Sequence, residues 1–138
     1  MMDGVRIVVM VAAIGVAAGP AWAGTVRVSL GPGGVQGNGT SSHPTVVGDG
    51  RFVGYSSKAS NLVPGDTNRV EDVFVLDRQS GVTTRVSVSS SGVQGSGGSI
   101  KPALTTDGRY VLFQSYASNL VPGDTNGKLD LFLRDRAA

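Results

Sequence analysis

Hydrophobic positions after residue 24 fall in short stretches, separated by runs rich in glycine, serine, proline and aspartate. Residues 51–57 (RFVGYSS) and 109–115 (RYVLFQS) are rich in aromatic and β-branched side chains, which is typical of buried strands. Residues 72–77 and 130–135 have the same character, and residues 83–88 predict a further strand. No stretch keeps a helical period, so the pattern predicts an all-β protein.

Between the predicted strands lie segments that favour turns. The dipeptides Asp49-Gly50 and Asp107-Gly108 favour positive φ and predict tight hairpins. The segment ASNLVPGDTN contains proline and glycine, through which a strand does not continue, so it predicts a loop. Together with a turn signal at residues 79–81, these segments predict four short antiparallel strands in each unit.

The chain contains an internal repeat with a constant offset, in which Arg27 aligns with Arg85. Residues 27–78 align without a gap on residues 85–136, and 29 of these 52 positions are identical. The longest shared block is ASNLVPGDTN, at residues 59–68 and 117–126. We therefore predict one domain over residues 24–138, made of two units at about 27–84 and 85–138.

Residues 1–23 have the three-part pattern of a secretory signal peptide. A short start carrying Arg6 precedes an apolar run from Ile7 to Ala18, and the sequence AWA then offers small residues at the cleavage positions. We predict a signal-peptide helix removed before Gly24, and a mature protein in the periplasm or outside the cell. A permanent anchor is the weaker alternative, because the apolar run is shorter than the roughly 20 residues that span a bilayer. No membrane span is expected after cleavage.

Composition excludes several classes of function. The chain has no cysteine, so disulfides, thiolate metal sites and thiol nucleophiles are excluded. Its 12 lysine and arginine residues are interleaved with 10 acidic residues and are not clustered, so nucleic-acid binding is not expected.

The acidic residues also argue against catalysis, because most of them recur at the repeat offset. The four pairs are Asp49/Asp107, Asp66/Asp124, Asp72/Asp130 and Asp77/Asp135. Residues that recur in every unit usually build the unit, so structural roles are expected for them. Only Glu71 lacks an acidic counterpart in the mature chain, and His43, the single histidine, is interpreted as a surface residue before Pro44. We therefore predict no catalytic residues and no enzyme activity.

One candidate metal site follows from the two long loops. Oxygen-bearing side chains recur there in a spacing that calcium loops use, at Asp66, Asn68 and Asp72 in the first unit and at Asp124, Asn126 and Asp130 in the second. The match to a calcium loop is incomplete, because a bidentate glutamate is missing at its last position. The alternative is a turn stabilised by its own side chains. No other cofactor is expected.

The residues also resemble a known family. Each unit has a proline, an apolar step, Asp-Gly-Arg, an aromatic residue and valine, and the first unit continues to a strand Asp-Val-Phe-Val-x-Asp. This order resembles the TolB-like β-propeller repeat, which is related to WD-repeat blades. The resemblance implies two four-stranded antiparallel blades. Propellers usually close with four to eight blades, so the chain is expected to be part of a ring, by self-association or as a chain truncated from a longer array.

The strand order has the same implication. Residues 26–30 match the fourth strand of the unit, and the chain continues to the third strand of the second unit. The function predicted from these features is that of an exported, non-catalytic scaffold or protein-binding surface, with a protein or glycan partner. The alternatives are a calcium-binding structural or adhesive protein and a fragment of a propeller-bearing hydrolase.

Overall fold

The computed structural model describes residues 24–138, and the predicted signal peptide at residues 1–23 lies outside the described residues. A short 3-10 turn at Pro32–Gly34 precedes seven strands in the described part of the chain. The strands are β1 (Ser41–Val47), β2 (Phe52–Ser57), β3 (Asp72–Asp77), β4 (Val82–Arg85), β5 (Ser99–Leu104), β6 (Tyr110–Ser115) and β7 (Asp130–Asp135). Over residues 24–138, no helix has the length and apolar character needed to cross a membrane.

The strands form two antiparallel sheets, which confirms the prediction of an all-β protein. The first sheet has the order β1-β2-β3-β4, and the second has the order β5-β6-β7. Each strand of the second sheet begins at the repeat offset from its counterpart in the first. The Asp-Gly dipeptides lie in the connections between β1 and β2 and between β5 and β6, as predicted for hairpins.

The prediction of four strands in each unit is wrong for the second unit. The second sheet has three strands, and the segment 26–30, expected to match a fourth strand, is not a strand in this structure. Only Leu30 of that segment pairs, in an isolated bridge with Gln36. Thr83 of β4 donates a side-chain hydrogen bond to the Leu30 carbonyl at 3.3 Å. The segment therefore lies beside the first sheet, where the strand edge is already formed by β4.

Two apolar clusters form the core. The first lies between the sheets, because it combines one face of the first sheet with the facing side of the second. Its buried members are Phe52, Val73, Val75, Val86, Val111, Phe113, Ala117 and Leu120. The second cluster lies on the opposite face of the first sheet, against Val28 of the amino-terminal segment, and consists of Val53, Tyr55, Ala59, Leu62 and Phe74. Alternation along β2 and β3 thus places side chains in both clusters.

Gly108 occupies a hairpin position that excludes any side chain. Its φ is +69°, and an added Cβ would lie 2.6 Å from the ring of Phe52 on the first sheet. We expect Gly108→Ala to lower the melting temperature by several degrees, since a positive φ costs about 1 kcal/mol and the clash adds to that cost. Gly123→Ala is the matched control, because Gly123 has a φ of +80° with no atom near an added Cβ. Equal shifts in thermal unfolding for the two variants would contradict this packing.

Candidate functional site

The long loop of the first unit closes on a buried ionic cluster. Nη1 of Arg85 lies 3.1 Å from Oδ1 of Asp66 and 3.5 Å from Oδ2 of Asp72. The three side chains are 11%, 4% and 0% exposed, respectively. Burial raises the pKa of Asp66, the charge of Asp72 raises it further, and Arg85 opposes both effects. This cluster joins the loop to strands β3 and β4.

Neighbouring polar groups complete the cluster. Asp72 accepts hydrogen bonds from Nδ2 of Asn68 at 2.8 Å and from the hydroxyl of Ser87 at 2.5 Å. Oε1 of Gln94 accepts from Nη1 of Arg85 at 3.0 Å, and the Gln94 amide donates to the hydroxyl of Thr67 at 2.7 Å. Gln94, in the segment that follows β4, therefore binds both Arg85 and the loop. Such hydrogen bonds are needed because burying a charged group without partners is costly.

The equivalent loop of the second unit lacks its arginine. Asp124 and Asp130 are the counterparts of Asp66 and Asp72, and among residues 24–138 neither forms an ion pair. Asn126 keeps its role and donates from Nδ2 to Oδ2 of Asp130 at 3.0 Å. The arginine at the repeat offset from Arg85 is Arg27, which is exposed in the amino-terminal segment.

The predicted calcium ligands are brought together in both units. In the first, however, Asp66 and Asp72 share the guanidinium of Arg85. The second set, Asp124, Asn126 and Asp130, lines one side of an open cleft. In the part of the chain that the structure describes, no group of three or more histidine, cysteine or acidic residues is placed to hold a metal ion. Calcium binding stays a prediction, and the first unit already neutralises its carboxylates with an arginine.

A calcium titration tests this alternative directly. We expect chelator-treated protein to give no saturable heat with millimolar calcium, because each set of predicted ligands contains only two carboxylates and calcium takes six to eight oxygens. Isothermal titration calorimetry is the measurement. Saturable heat that Asp124→Asn abolishes and that Asp66→Asn leaves intact would instead place calcium in the second loop.

The remaining recurrent acids have structural partners. Asp77 binds Arg51 and Asp135 binds Arg109 through paired hydrogen bonds of 2.8–3.1 Å. The hydrogen bond with Arg109 lowers the pKa of Asp135 to about 2. The other recurrent pair shapes the hairpins: Asp49 accepts from the backbone N–H of Arg51, and Asp107 from that of Arg109. Each recurrent acid outside the long loops therefore has a partner within its own unit.

His43 lies in a second polar cluster. The hydroxyl of Ser42 donates to Oε1 of Glu71 at 3.0 Å and lies 2.9 Å from Nδ1 of His43. The hydroxyl of Ser56 is 3.4 Å from the same nitrogen and accepts from the backbone N–H of Lys101 at 3.2 Å. This arrangement fixes one ring nitrogen of an exposed histidine beside the junction of the two sheets.

The hydroxyl groups of the His43 cluster are buried or hydrogen-bonded within the protein. Ser56 is fully buried, so a substrate does not reach its hydroxyl, and Ser42 directs its proton to Glu71. Glu71 contacts Ser42, with no hydrogen bond to the imidazole among the described residues. A nucleophile, a base and an orienting acid in sequence, as acyl-transfer enzymes require, are not formed by these residues.

Sequence reasoning placed His43 at the surface, as observed, and missed the cluster around it. Each member departs from the repeat: Ser42, His43, Ser56 and Glu71 stand where the second unit has Ile100, Lys101, Gln114 and Leu129. The sequence contained a signal for this cluster, because at these four positions the first unit has a polar residue that differs from its counterpart in the second unit. The sequence alone did not join these positions into one cluster, since they lie on separate segments of the chain.

Two clefts lie at the ends of the molecule. One, of about 460 Å³, runs beside β7 and is lined by Val121, Asp130, Leu131 and Leu133. The other, of about 500 Å³, lies between residues 27–34 and the β3–β4 edge of the first sheet. Both clefts border the position of a fourth strand, which β4 occupies in the first sheet and which has no strand in the second.

Comparison with known proteins adds no assignment. No protein-family model matches the chain, and the curated proteins contain no significant match to it. The resemblance to TolB-like repeats stays a prediction from the residues.

Proposed function

We propose that this protein is an exported, non-catalytic module of the β-propeller type that serves as a protein-binding scaffold. The two sheets act as neighbouring blades of a larger ring, and residues 1–23 direct export and are removed before Gly24. Support for neighbouring blades comes from the first apolar cluster, which packs one sheet face against the other. Amino-terminal sequencing of the exported protein tests the export step, and we expect it to begin at Gly24.

The observation that carries the proposal is the unequal exposure of equivalent positions. Val73 and Val75 on β3 are 0% exposed, since the second sheet covers them. Their counterparts on β7, Leu131 and Leu133, are 67% and 66% exposed. Leu112 of β6 is 42% exposed on the same face. We call this surface, made of Leu112, Leu131 and Leu133, the open face. An apolar surface of this kind marks a protein contact.

The chemistry of the open face favours a protein over a glycan partner. Its side chains are aliphatic, while sugar recognition uses polar groups that satisfy hydroxyls. The non-catalytic part of the proposal is supported by the acidic residues. Those of the first unit are occupied by arginines, backbone N–H groups or Ser42, so they are not poised as acid and base.

Site-specific photo-crosslinking in the native host tests this function. A photoreactive amino acid at Leu133 is expected to give a discrete adduct with one protein, because this position is 66% exposed and pairs directly with Leu112 of the open face. The control places the same group at Ser80, in the exposed turn between β3 and β4, where no adduct is expected. Equal labelling at both positions, or none at Leu133, would contradict the proposed contact. Mass spectrometry of the adduct identifies the partner.

A further inference from the structure

We propose that the partner of the open face is a second copy of this chain, whose residues 24–29 add to β7 as a fourth strand, with Arg27 of that copy binding Asp124 and Asp130. This inference rests on the proposed function, since it names the protein that covers the open face. It would make the contact between copies a repeat of the contact between the two units within one chain.

The free edge of β7 with Asp124 and Asp130, which we call the acceptor, has part of a site that is complete in the first unit. There, β4 pairs with β3 and Arg85 binds Asp66 and Asp72. The second unit has the same two acids at Asp124 and Asp130, and β7 forms the free edge of its sheet. The cleft beside β7 lies where the missing strand would run, with both acids in its lining. A free strand edge beside carboxylates that form no ion pair favours a strand that carries a cation.

Residues 24–29 of the second copy, which we call the donor, have the sequence of the missing fourth strand. Residues 25–29 read TVRVS, and residues 83–87 read TTRVS, so four of five positions are identical. In the first sheet Arg85 pairs in register with Phe74. The same register places Arg27 of the second copy opposite Phe132, next to Asp130. Ser29 would then take the role of Ser87, whose hydroxyl donates to the acid at the start of β3.

The segment after the donor already has the required local structure. Leu30 bridges Gln36 as Val88 bridges Gln94, and the backbone N–H of Gly37 donates to the Ser29 carbonyl at 3.2 Å. The corresponding bond of the second unit, from Gly95 to Ser87, measures 3.0 Å. Residues 24–27, in contrast, are exposed and form no strand. Docking therefore has to order only a few residues, which limits its entropic cost.

A single chain does not make this contact with itself. Val28 packs against the second apolar cluster, on the face of the first sheet that points away from the second sheet. The first sheet thus separates the donor segment from β7. Donor and acceptor lie at opposite ends of the molecule, so they meet between copies in a head-to-tail contact.

The contact between copies differs from the internal one at one apolar position. Gly54 lies 2.5 Å, measured from an added Cβ, from Leu104 of the second sheet, so it leaves room for that side chain. Its counterpart on the open face is Leu112, and the counterpart of Leu104 is the smaller Val46, which is 64% exposed. The larger residue has moved to the other side of the contact, and the surface stays apolar.

Two charge-reversal variants test the inference. Arg27→Glu reverses the charge of the donor, and Asp124→Lys reverses one charge of the acceptor. Asp124 has no hydrogen bond among the described residues, so its replacement is not expected to disturb folding. We expect light scattering after size exclusion to give an oligomer for the native protein at micromolar concentration. Each variant alone should be monomeric, with its dissociation constant raised about tenfold or more. Lys58→Glu, at an exposed position outside residues 24–29 and outside the open face, should associate like the native protein.

Mixing the variants gives the decisive result. Arg27→Glu keeps the native Asp124 and Asp124→Lys keeps the native Arg27, so mixing them should restore association, through the native ion pair at one contact and through the charge-exchanged pair at the other. The double variant in one chain should associate again, because the ion pair between copies re-forms with its two charges exchanged. A native protein that is monomeric at all concentrations, or single variants that associate like it, would overturn the inference. A photo-crosslink from Leu133 to a different protein would also overturn it, yet leave the proposed scaffold function standing.

Discussion

Replacing Arg85 with alanine should lower the free energy of unfolding by about 3 kcal/mol or more. Its removal leaves two nearly inaccessible carboxylates, Asp66 and Asp72, without a cation. Breaking a buried ion pair from one side is strongly destabilising, because the remaining charge stays desolvated and uncompensated. Gln94 also loses a hydrogen-bond donor, so the segment after β4 loses one of its bonds to β4. Urea unfolding followed by circular dichroism measures the change.

The matched control for Arg85 is Arg109. Its ion pair with Asp135 is shorter, at 2.8 Å, but the arginine side chain is 50% exposed. Exposed ion pairs contribute little, so Arg109→Ala should change stability much less than Arg85→Ala does. The loss in Arg85→Ala should also shrink in acid, because burial already raises the pKa of Asp66 and protonation removes the buried charge. Equal losses in the two variants at neutral pH would show that burial does not govern the contribution of these pairs.

Phe74→Ala is expected to lower the free energy of unfolding by about 3 kcal/mol. The Phe74 side chain is 0% exposed, and its ring stacks on that of Tyr55 with centroids 5.9 Å apart. Truncation removes this stacking and leaves a cavity in the second apolar cluster. The repeat supplies the control: Phe132 stacks on Phe113 with the same spacing but is only partly buried.

At protein concentrations that keep the chain monomeric, Phe132→Ala should therefore cost clearly less than Phe74→Ala. Both variants are compared by urea unfolding under identical conditions, so the difference reports burial at two positions with the same ring pairing. A larger loss for Phe132→Ala would mean that the edge beside β7 is covered in solution. Repeating the experiment at several protein concentrations separates that outcome from a monomer effect, since association adds stability by mass action.

Much of the fold follows from local chemistry. Strand β3 and strand β7 lie where Asp-Val-Phe-Val-Leu-Asp and Asp-Leu-Phe-Leu-Arg-Asp predict them, and β2 begins one residue after the predicted start. Turn chemistry placed the hairpins, because aspartate and glycine adopt the required backbone conformations at little cost. The loops could also be placed, since proline and glycine end strands. These elements depend on residues close together in the chain.

The amino-terminal segment shows where local reasoning fails. Residues 25–29 have the sequence of a strand and are not one here, because in the first sheet the position beside β3 is occupied by β4, and the segment contacts that sheet through Val28 and the Leu30 carbonyl instead of through backbone pairing. In the same way, the acids of the long loops were predicted as calcium ligands or turn formers. The arginine that binds Asp66 and Asp72 comes from β4, a later strand, and only the pairing of β3 with β4 brings it to them.

The sequence by itself determined the all-β class, the internal repeat and the positions of the turns, because each depends on side-chain alternation or on backbone preferences of neighbouring residues. Only the tertiary structure decided which residues at matching repeat positions have the same burial and contacts. Val73 is covered and Leu131 is exposed, and Arg85 is buried between acids while Arg27 is in solvent. Burial depends on which element packs against a strand, and the repeated sequence is the same whether or not a neighbouring sheet covers the unit.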